Sequence, residues 1–301
     1  MGIKSEKLLL VGDNPFHGIS HLSQERARAR GGKINQSEFA AGLVLKSLQN
    51  GANGFMFSVS ENTLSALQIV SEKADSQSLE LHAIVPYAYE YVRLATSLGT
   101  VGLGRKMAGR VLFSGDLTTI SSAFQAIVGM NPESLMKTYL RYEISRINSS
   151  LAKRQKLSSV LLHEVITDMA VALNLDWFIK SYVRFISRLG IKPGFETRNF
   201  AYLVNKFKKW NINFSGIELV SSFNKVGFQM NPSKTECEAV LAGIPECDVI
   251  AMSILAAGYI KIPAAADYIK SLPKIKGVVV GVSKEKHAHE TFRFLREKFS
   301  N

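Results

Sequence analysis

Short runs of Val, Ile, Leu and Phe recur along the chain, and each is followed by a segment with apolar residues at helical spacing. The runs predict eight strands, at Leu8–Gly12, Gly54–Val59, Leu81–Pro86, Ser159–His163, Lys192–Glu196, Gly216–Val220, Val249–Ser253 and Gly277–Gly281. Helices are expected at Ser37–Gln49, Thr63–Lys73, Pro132–Lys153, Leu175–Leu189, Asn199–Trp210, Ser233–Ala242, Ala264–Ser271 and Lys284–Phe299. This alternation predicts an α/β fold, a (β/α)8 TIM barrel forming a single domain over residues 1–301. An open doubly wound sheet has the same local pattern and is the alternative.

The connection between the third and fourth predicted strands is much longer than one helix, since it runs from Tyr87 to Leu157. Its first part, residues 95–129, is rich in Gly and apolar residues, with Arg105 and Arg110 between them. Long connections in compact domains are commonly lids, binding loops or disordered segments. We therefore expect a long insertion that forms a lid over the barrel mouth, a contact between copies in a homo-oligomer, or an amphipathic segment at a membrane surface.

Composition indicates a folded protein, because 46% of the 301 residues are hydrophobic and only 21% are charged. The longest apolar run, Val249–Ile260, is shorter than the roughly 18 residues of a transmembrane helix. Residues Met1–Glu6 lack the apolar stretch of a signal peptide, so a cytoplasmic location is expected. Cys237 and Cys247 lack CxxC spacing and are interpreted as half-buried thiols rather than a disulfide or metal site.

The charge is unevenly distributed along the chain. The 37 basic and 25 acidic residues give +12; residues 1–150 carry 15 basic and 12 acidic residues (+3), and residues 151–301 carry 22 and 13 (+9). The basic second half favours an anionic or phosphorylated small molecule as ligand. The densest basic cluster, Lys206–Trp210, has helical spacing and indicates a solvated helix face, so nucleic acid is not the expected partner.

Polar residues gather just after the predicted strands, where the chemistry of a TIM barrel takes place. Our candidate catalytic residues are Asp13, Tyr87, His163, Glu164 and Glu196. A histidine beside carboxylates suits proton transfer or divalent-metal binding. Further polar residues expected at the same strand ends are Asn14, His17, Ser58, Ser60, Glu61, Asn62, Tyr89, Glu90, Arg198, Glu218 and Ser222.

The second half of the chain also resembles the aldo-keto reductases. Ser158–His163 is similar to their fourth-strand motif, which ends in the active-site histidine. Gly194–Phe200 resembles their Gly-x-Ser-Asn-Phe turn, and Phe223-Asn224 their later Tyr-Asn pair. Ala251–Gly258 is similar to the seventh-strand Ser-Pro-Leu-x-x-Gly stretch, and Gly277–Ser283 to the eighth-strand segment that holds the cofactor phosphate. The motifs occur in the family's order.

The resemblance implies an NADP cofactor held at the carboxyl ends of strands five to eight. The positions that it assigns to cofactor binding are Asn199, Asn224, Ser253, Leu255, Ser283, Lys284, Lys286 and Glu290. The first half departs from the family, because Ser58 stands where an acid is usual, no Tyr follows at the expected spacing, and the third strand ends in Val85-Pro86-Tyr87 instead of a lysine. Three of the family's four catalytic positions therefore differ.

Three functional hypotheses remain. The first is an atypical NADPH-binding oxidoreductase in which His163 orients a carbonyl and a tyrosine of Tyr87–Tyr91 supplies the acid. The second is a non-redox isomerase or lyase that uses Asp13, His163, Glu164 and Glu196 as acid/base groups or divalent-metal ligands on a phosphorylated small molecule. The third is a non-catalytic binding protein whose insertion docks a partner or a membrane surface.

Overall fold

Eight parallel strands close into a barrel in a computed structural model that describes residues 7–17, 37–74, 78–86 and 132–300. Each strand pairs with the next along the chain, and the last pairs with the first. The strands are β1 (Leu8–Gly12), β2 (Gly54–Ser58), β3 (Glu80–Val85), β4 (Ser159–Leu162), β5 (Lys192–Thr197), β6 (Glu218–Ser222), β7 (Asp248–Met252) and β8 (Ile275–Gly281). The predicted (β/α)8 barrel is confirmed, and the open sheet is excluded.

Helices follow the strands and cover the outside of the barrel. They are α1 (Ser37–Gln49), α2 (Glu61–Lys73), α3 (Pro132–Ser149), α4 (Glu164–Ala172), α5 (Asp176–Arg188), α6 (Phe200–Lys209), α7 (Lys234–Ala242), α8 (Ile262–Ser271) and α9 (Glu285–Ser300). Two 3-10 turns, Asn14–His17 and Ala256–Gly258, lie at the ends of β1 and β7. None of the described helices has both the length and the apolar character needed to cross a bilayer.

Two expectations from the sequence need correction. The segment after β4 was expected to reach the next helix at Leu175, but it contains α4, whose N-terminus is capped by the His163 side chain. Strand β6 begins at Glu218, because the Ile217 amide donates to the Phe214 carbonyl and Gly216 takes a φ of 76° in a turn. Glu218 therefore lies at the amino end of its strand, and its expected place at the carboxyl end is wrong.

The barrel interior is layered along its axis, because alternate residues of each strand point inward. The middle layer is apolar and consists of Leu10, Met56, Ile84, Leu161, Val220, Ile250 and Met252. Toward the amino ends of the strands the interior holds a polar layer that includes His82, Ser159 and Glu218. Toward the carboxyl ends, the strand positions beyond the apolar layer bring polar side chains to the barrel mouth.

The core outside the strands is dominated by aromatic rings. The Phe195 ring meets Tyr182 and Phe207 edge-on, at 5.3 and 5.0 Å between centroids. The buried Tyr182 hydroxyl donates to the Val160 carbonyl over 2.5 Å, which ties α5 to β4. These contacts hold β4 and β5 firmly against their helices, so the residues at their carboxyl ends sit on a rigid support.

Candidate active site

His163 stands at the junction between β4 and α4. Its Nδ1 accepts a hydrogen bond from the Val165 amide over 3.2 Å, as an N-cap side chain does. Because Nδ1 accepts, the neutral ring carries its proton on Nε2. Burial lowers the pKa of His163 below 6.5, the positive Arg198 lowers it further, and nearby carboxylates oppose the shift. At neutral pH the side chain is therefore an uncharged hydrogen-bond donor.

Glu196 lies beside His163 on the neighbouring strand. Leu162 and Phe195 are register partners, so His163 and Glu196 leave adjacent backbone positions of β4 and β5. Glu196 Oε2 accepts from the Glu164 amide over 3.3 Å. Burial raises the pKa of Glu196 to about 8, and the charge of Glu164 adds to the rise, while Arg198 and the amide bond counteract it. Glu196 is thus poised to exchange a proton near neutral pH.

An ion pair joins the two segments that carry these groups. Arg198 Nε donates to Glu164 Oε2. Behind it, Asp168 of α4 accepts from the Thr197 hydroxyl over 2.5 Å, the Arg198 amide over 3.2 Å and Asn199 Nδ2 over 2.9 Å. Burial is the main cause that raises the pKa of Asp168. Asp168 positions the β5–α6 turn, and sequence reasoning missed it because α4 itself was not predicted.

Asp13 is placed at the mouth as expected, but its hydrogen bonds go to the protein. Its Oδ2 accepts from the Ser58 amide over 2.6 Å and lies 2.8 Å from His17 Nε2. The side chain is buried at 3% exposure. Its charge raises the pKa of both His163 and Glu196. Asp13 therefore ties β1 to β2 and acts on the other site residues through its charge. His163, Glu164 and Glu196 lie next to one another at the ends of β4 and β5.

Two of the positions assigned to cofactor binding, Asn199 and Asn224, are engaged within the protein. Asn199 Nδ2 donates to Asp168, and the Asn224 side chain both donates to the Phe228 carbonyl and accepts from its amide, each over 2.8 Å. Ser253 is half-buried at a φ of 54°, and the half-buried Leu255 precedes the 3-10 turn. The hydrogen bonds of the two asparagine side chains to the protein do not favour their predicted role in cofactor binding.

The segment that was predicted to hold the cofactor phosphate lies between β8 and α9. Ser283 is half-buried and Lys284 is exposed just before α9. Lys286 and Glu290 are both exposed and pair with each other at 3.8 Å along the helix. Ser283 and Lys284 therefore fit a phosphate better than the other two positions do. Tyr87 and the predicted insertion, residues 95–129, fall outside the described residues.

Metal binding is the remaining option for the carboxylates. Within residues 7–17, 37–74, 78–86 and 132–300, no group of three or more His, Cys, Asp and Glu side chains is arranged to hold a metal ion. Glu164 pairs with Arg198, and Asp168 accepts from three protein donors, so neither presents a free oxygen pair. These residues fit proton transfer better than divalent-metal coordination.

No family model matches this sequence, and no curated protein matches it either. Solved structures do match. A protein provisionally described as an aldo-keto reductase from Pseudomonas aeruginosa is 12% identical, with a TM-score of 0.57 over 97% of this chain and 91% of that one. The holo form of an aldo-keto reductase from Bacillus halodurans is 10% identical, with a TM-score of 0.53 over 98% of this chain and 91% of that one. These likenesses show a barrel fold like that of the aldo-keto reductases.

Proposed function

We propose that this barrel is a non-redox isomerase that moves a proton next to a carbonyl group of a small hydroxy-carbonyl compound. The observation that carries the proposal is the juxtaposition of Glu196, a buried carboxyl with a pKa of about 8, with a neutral His163 on the adjacent strand end. Two titratable groups with shifted pKa values at one strand-end site are the usual sign of acid/base chemistry.

Glu196 is the base in this reaction. Its ionised form takes a proton from the carbon beside the substrate carbonyl, and that bond pair becomes a carbon–carbon double bond. The carbonyl π pair moves to oxygen, where the Nε2–H of His163 donates a hydrogen bond. The Glu196 acid then returns the proton to the neighbouring carbon, and the adjacent hydroxyl proton passes to the former carbonyl oxygen. Atoms and electrons balance without an external oxidant or reductant.

The raised pKa favours this role of Glu196 over that of a permanently charged carboxylate. A carboxylate of pKa about 8 is a stronger base than one near 4.5, although only about a tenth is ionised at pH 7. Burial supplies that basicity, and removal of water from the carboxyl also protects the enediolate from side reactions. Glu164 keeps Arg198 near both groups through their ion pair.

Deuterium incorporation tests the proposal without a known substrate. The protein is incubated in D2O with a panel of aldoses, ketoses and their phosphorylated and carboxylated forms, and proton NMR follows loss of the signal beside the carbonyl. We expect exchange with at least one compound. Glu196→Gln and His163→Ala should each slow it by about 100-fold or more, while Glu246→Gln and His289→Ala, which change exposed residues, should not. Absence of exchange across the panel, or equal exchange in all variants, refutes the proposal.

A second candidate is the NADPH-binding oxidoreductase, and the likeness to the holo aldo-keto reductase favours it. Ser283 and Lys284, before α9, are the residues that would hold the cofactor phosphate. A bound NADPH would supply a hydride for carbonyl reduction. Isothermal titration with NADPH, with NADH and inorganic phosphate as controls, tests this candidate. Micromolar affinity that prefers NADPH would support it, and no binding would exclude it.

A further inference from the structure

Two buried polar atoms at the barrel mouth have no hydrogen-bond partner among the described residues. They are Nη1 of Arg198 and the hydroxyl oxygen of Ser222, whose residue is fully buried. A buried polar group without a partner costs about 1–3 kcal/mol, and a charged one more. Each such group calls for a physical explanation, and a bound ion or ligand at a functional site is one.

The two atoms belong to neighbouring strand ends. Thr197 of β5 and Ser221 of β6 are register partners, so Arg198 and Ser222 occupy the next pair of positions toward the mouth. The loop after β6 is fastened there, because Asn231 Nδ2 donates to the Arg198 carbonyl over 3.1 Å. Gln229 of the same loop has a buried Oε1 without a described partner and a φ of 57°. Of the five buried side-chain atoms without a partner among the described residues, three therefore belong to Arg198, Ser222 and this loop, and the other two, His82 Nε2 and Thr138 Oγ1, lie elsewhere in the fold.

The guanidinium of Arg198 has spare hydrogen-bonding capacity. Its Nε is committed to Glu164, and that bond leaves Nη1 buried and unused. A guanidinium carries five donors in a fixed fork, so it can serve one carboxylate with Nε and a second oxyanion with Nη1. Arg198 influences the charge states of His163 and Glu196, which places it close to the proposed reacting groups.

The carboxylates that face the same mouth do not exclude an anion. Asp168 accepts from three donors, Asp13 accepts from the Ser58 amide and contacts His17, and Glu164 is paired with Arg198. Glu196 is mostly protonated at neutral pH because of its burial. The unpartnered groups at the ends of β5 and β6 that can donate to an anion are Arg198 Nη1 and the Ser222 hydroxyl.

We propose that Arg198 Nη1 and the Ser222 hydroxyl bind an oxyanion of the substrate, a carboxylate or a phosphate, and hold its carbonyl end toward His163 and Glu196. This inference rests on the proposed function for its substrate. It narrows the substrate class to hydroxy-carbonyl compounds with an acidic group. The sequence places Arg198 just after a predicted strand, but its unpartnered buried atom is visible only in the structure.

Inorganic phosphate and acetate are the probes for the test, titrated at constant ionic strength into the full chain and followed by calorimetry and by NMR of arginine side chains. We expect one saturable site for at least one of them. Arg198→Lys should weaken it by about tenfold or more, because lysine cannot serve Glu164 and the anion at once as the guanidinium does. Ser222→Ala should weaken it by about threefold to tenfold, because a hydroxyl donor is lost. Arg184→Lys, an exposed arginine of α5, is the matched control. Circular dichroism and urea unfolding establish that each variant folds.

The preference between the probes tells the two sources of the oxyanion apart. Binding of phosphate alone points to a phosphorylated substrate, and binding of acetate points to a carboxylated one. No saturable binding to the parent protein, or equal binding by the parent, Arg198→Lys and Ser222→Ala, overturns the subsite. Glu196→Gln separates the two proposals, because it should keep anion binding while it abolishes deuterium exchange. Anion binding without exchange would leave the subsite standing and remove the isomerase.

Discussion

His82 of β3 and Glu218 of β6 meet across the barrel interior, with His82 Nδ1 2.8 Å from Glu218 Oε1. Both side chains are at most 2% exposed. The Ser159 hydroxyl donates to the same carboxylate oxygen over 2.9 Å. The polar layer at the amino ends of the strands therefore joins these three side chains beneath the apolar layer, while His82 Nε2 lies 3.9 Å from Glu80 Oε2.

Removing one side chain of this network should lower the free energy of unfolding more than replacing the His82–Glu218 pair with apolar side chains. We expect His82→Ala to lower the free energy of unfolding by about 1–3 kcal/mol, because it removes one of the two side chains that hydrogen-bond to Glu218 Oε1 and leaves the Ser159 hydroxyl as the other. The double variant His82→Leu, Glu218→Leu should lose less than the two single Leu variants added together. Urea denaturation of the parent, the two single Leu variants and the double variant measures the coupling free energy between the two residues. Strict additivity would show that the two residues do not act as a pair.

The tight packing of β2 gives a second prediction. A Cβ added at Gly54 would lie 2.2 Å from the Glu80 carbonyl oxygen and 2.7 Å from a Leu10 methyl group. Gly54→Ala should therefore lower the free energy of unfolding by roughly 2–4 kcal/mol, since β3 and β1 would have to move away from β2. Thermal and urea unfolding measure the loss.

Gly42→Ala is the matched control for Gly54→Ala. Gly42 lies within α1, and apart from its two chain neighbours and the adjacent backbone of that helix, no atom of the described residues is within 4 Å of a Cβ built there. Alanine in an exposed helix position should stabilise by about 0.5–1 kcal/mol. Equal effects of the two substitutions would mean that strand packing at Gly54 is looser than the structure indicates.

Periodicity was sufficient to predict the barrel, because short strands that contain buried Leu, Val, Ile or Phe residues alternate with helices along the chain. Strand β1 and helix α1 have the predicted ends. The error at β6 has a physical cause, since Gly216 and Ile217 continue the apolar pattern while their backbone turns. A run of apolar residues marks where a strand is buried, but hydrogen bonding decides where it begins.

The site was only partly accessible from the sequence. Their location at the carboxyl ends of predicted strands identified His163 and Glu196 as candidate catalytic residues, because these ends converge at the mouth of a barrel. The sequence could not show that the Asp13 and Asn224 side chains hydrogen-bond to the backbone, since those bonds depend on loop geometry. Asp168 was missed because it lies one turn into a helix, five residues after His163, and faces the β5–α6 turn only once that helix has formed.

The buried Glu196 should make the protein less stable as the pH rises. Burial raises its pKa in the folded protein to about 8, whereas the unfolded chain ionises near 4.5. Between these values the unfolded state releases the proton and the folded state keeps it, so stability falls by at most about 1.4 kcal/mol per pH unit. Glu196→Gln carries no charge and escapes this loss.

We therefore expect Glu196→Gln to match the parent in free energy of unfolding at pH 5 and to exceed it by roughly 2–4 kcal/mol at pH 8. Urea denaturation at intervals between pH 5 and 9 measures the difference, and His289→Ala serves as the exposed control. A gap between variant and parent that does not change with pH would contradict the assigned ionisation. A variant that is more stable but inactive would be typical of a functional residue rather than a structural one.

The pH dependence of turnover distinguishes the base role of Glu196 from an acid role. As a base, Glu196 must be ionised, so kcat/KM for deuterium exchange should rise with pH and level off above about 8. His163 must stay neutral, and because its pKa lies below 6.5 its titration should appear only as a further loss on the acidic side. Exchange rates measured from pH 5.5 to 9.5 give the profile. A rate that falls through pH 8 would assign Glu196 as the proton donor, and a flat profile would remove it from the reaction.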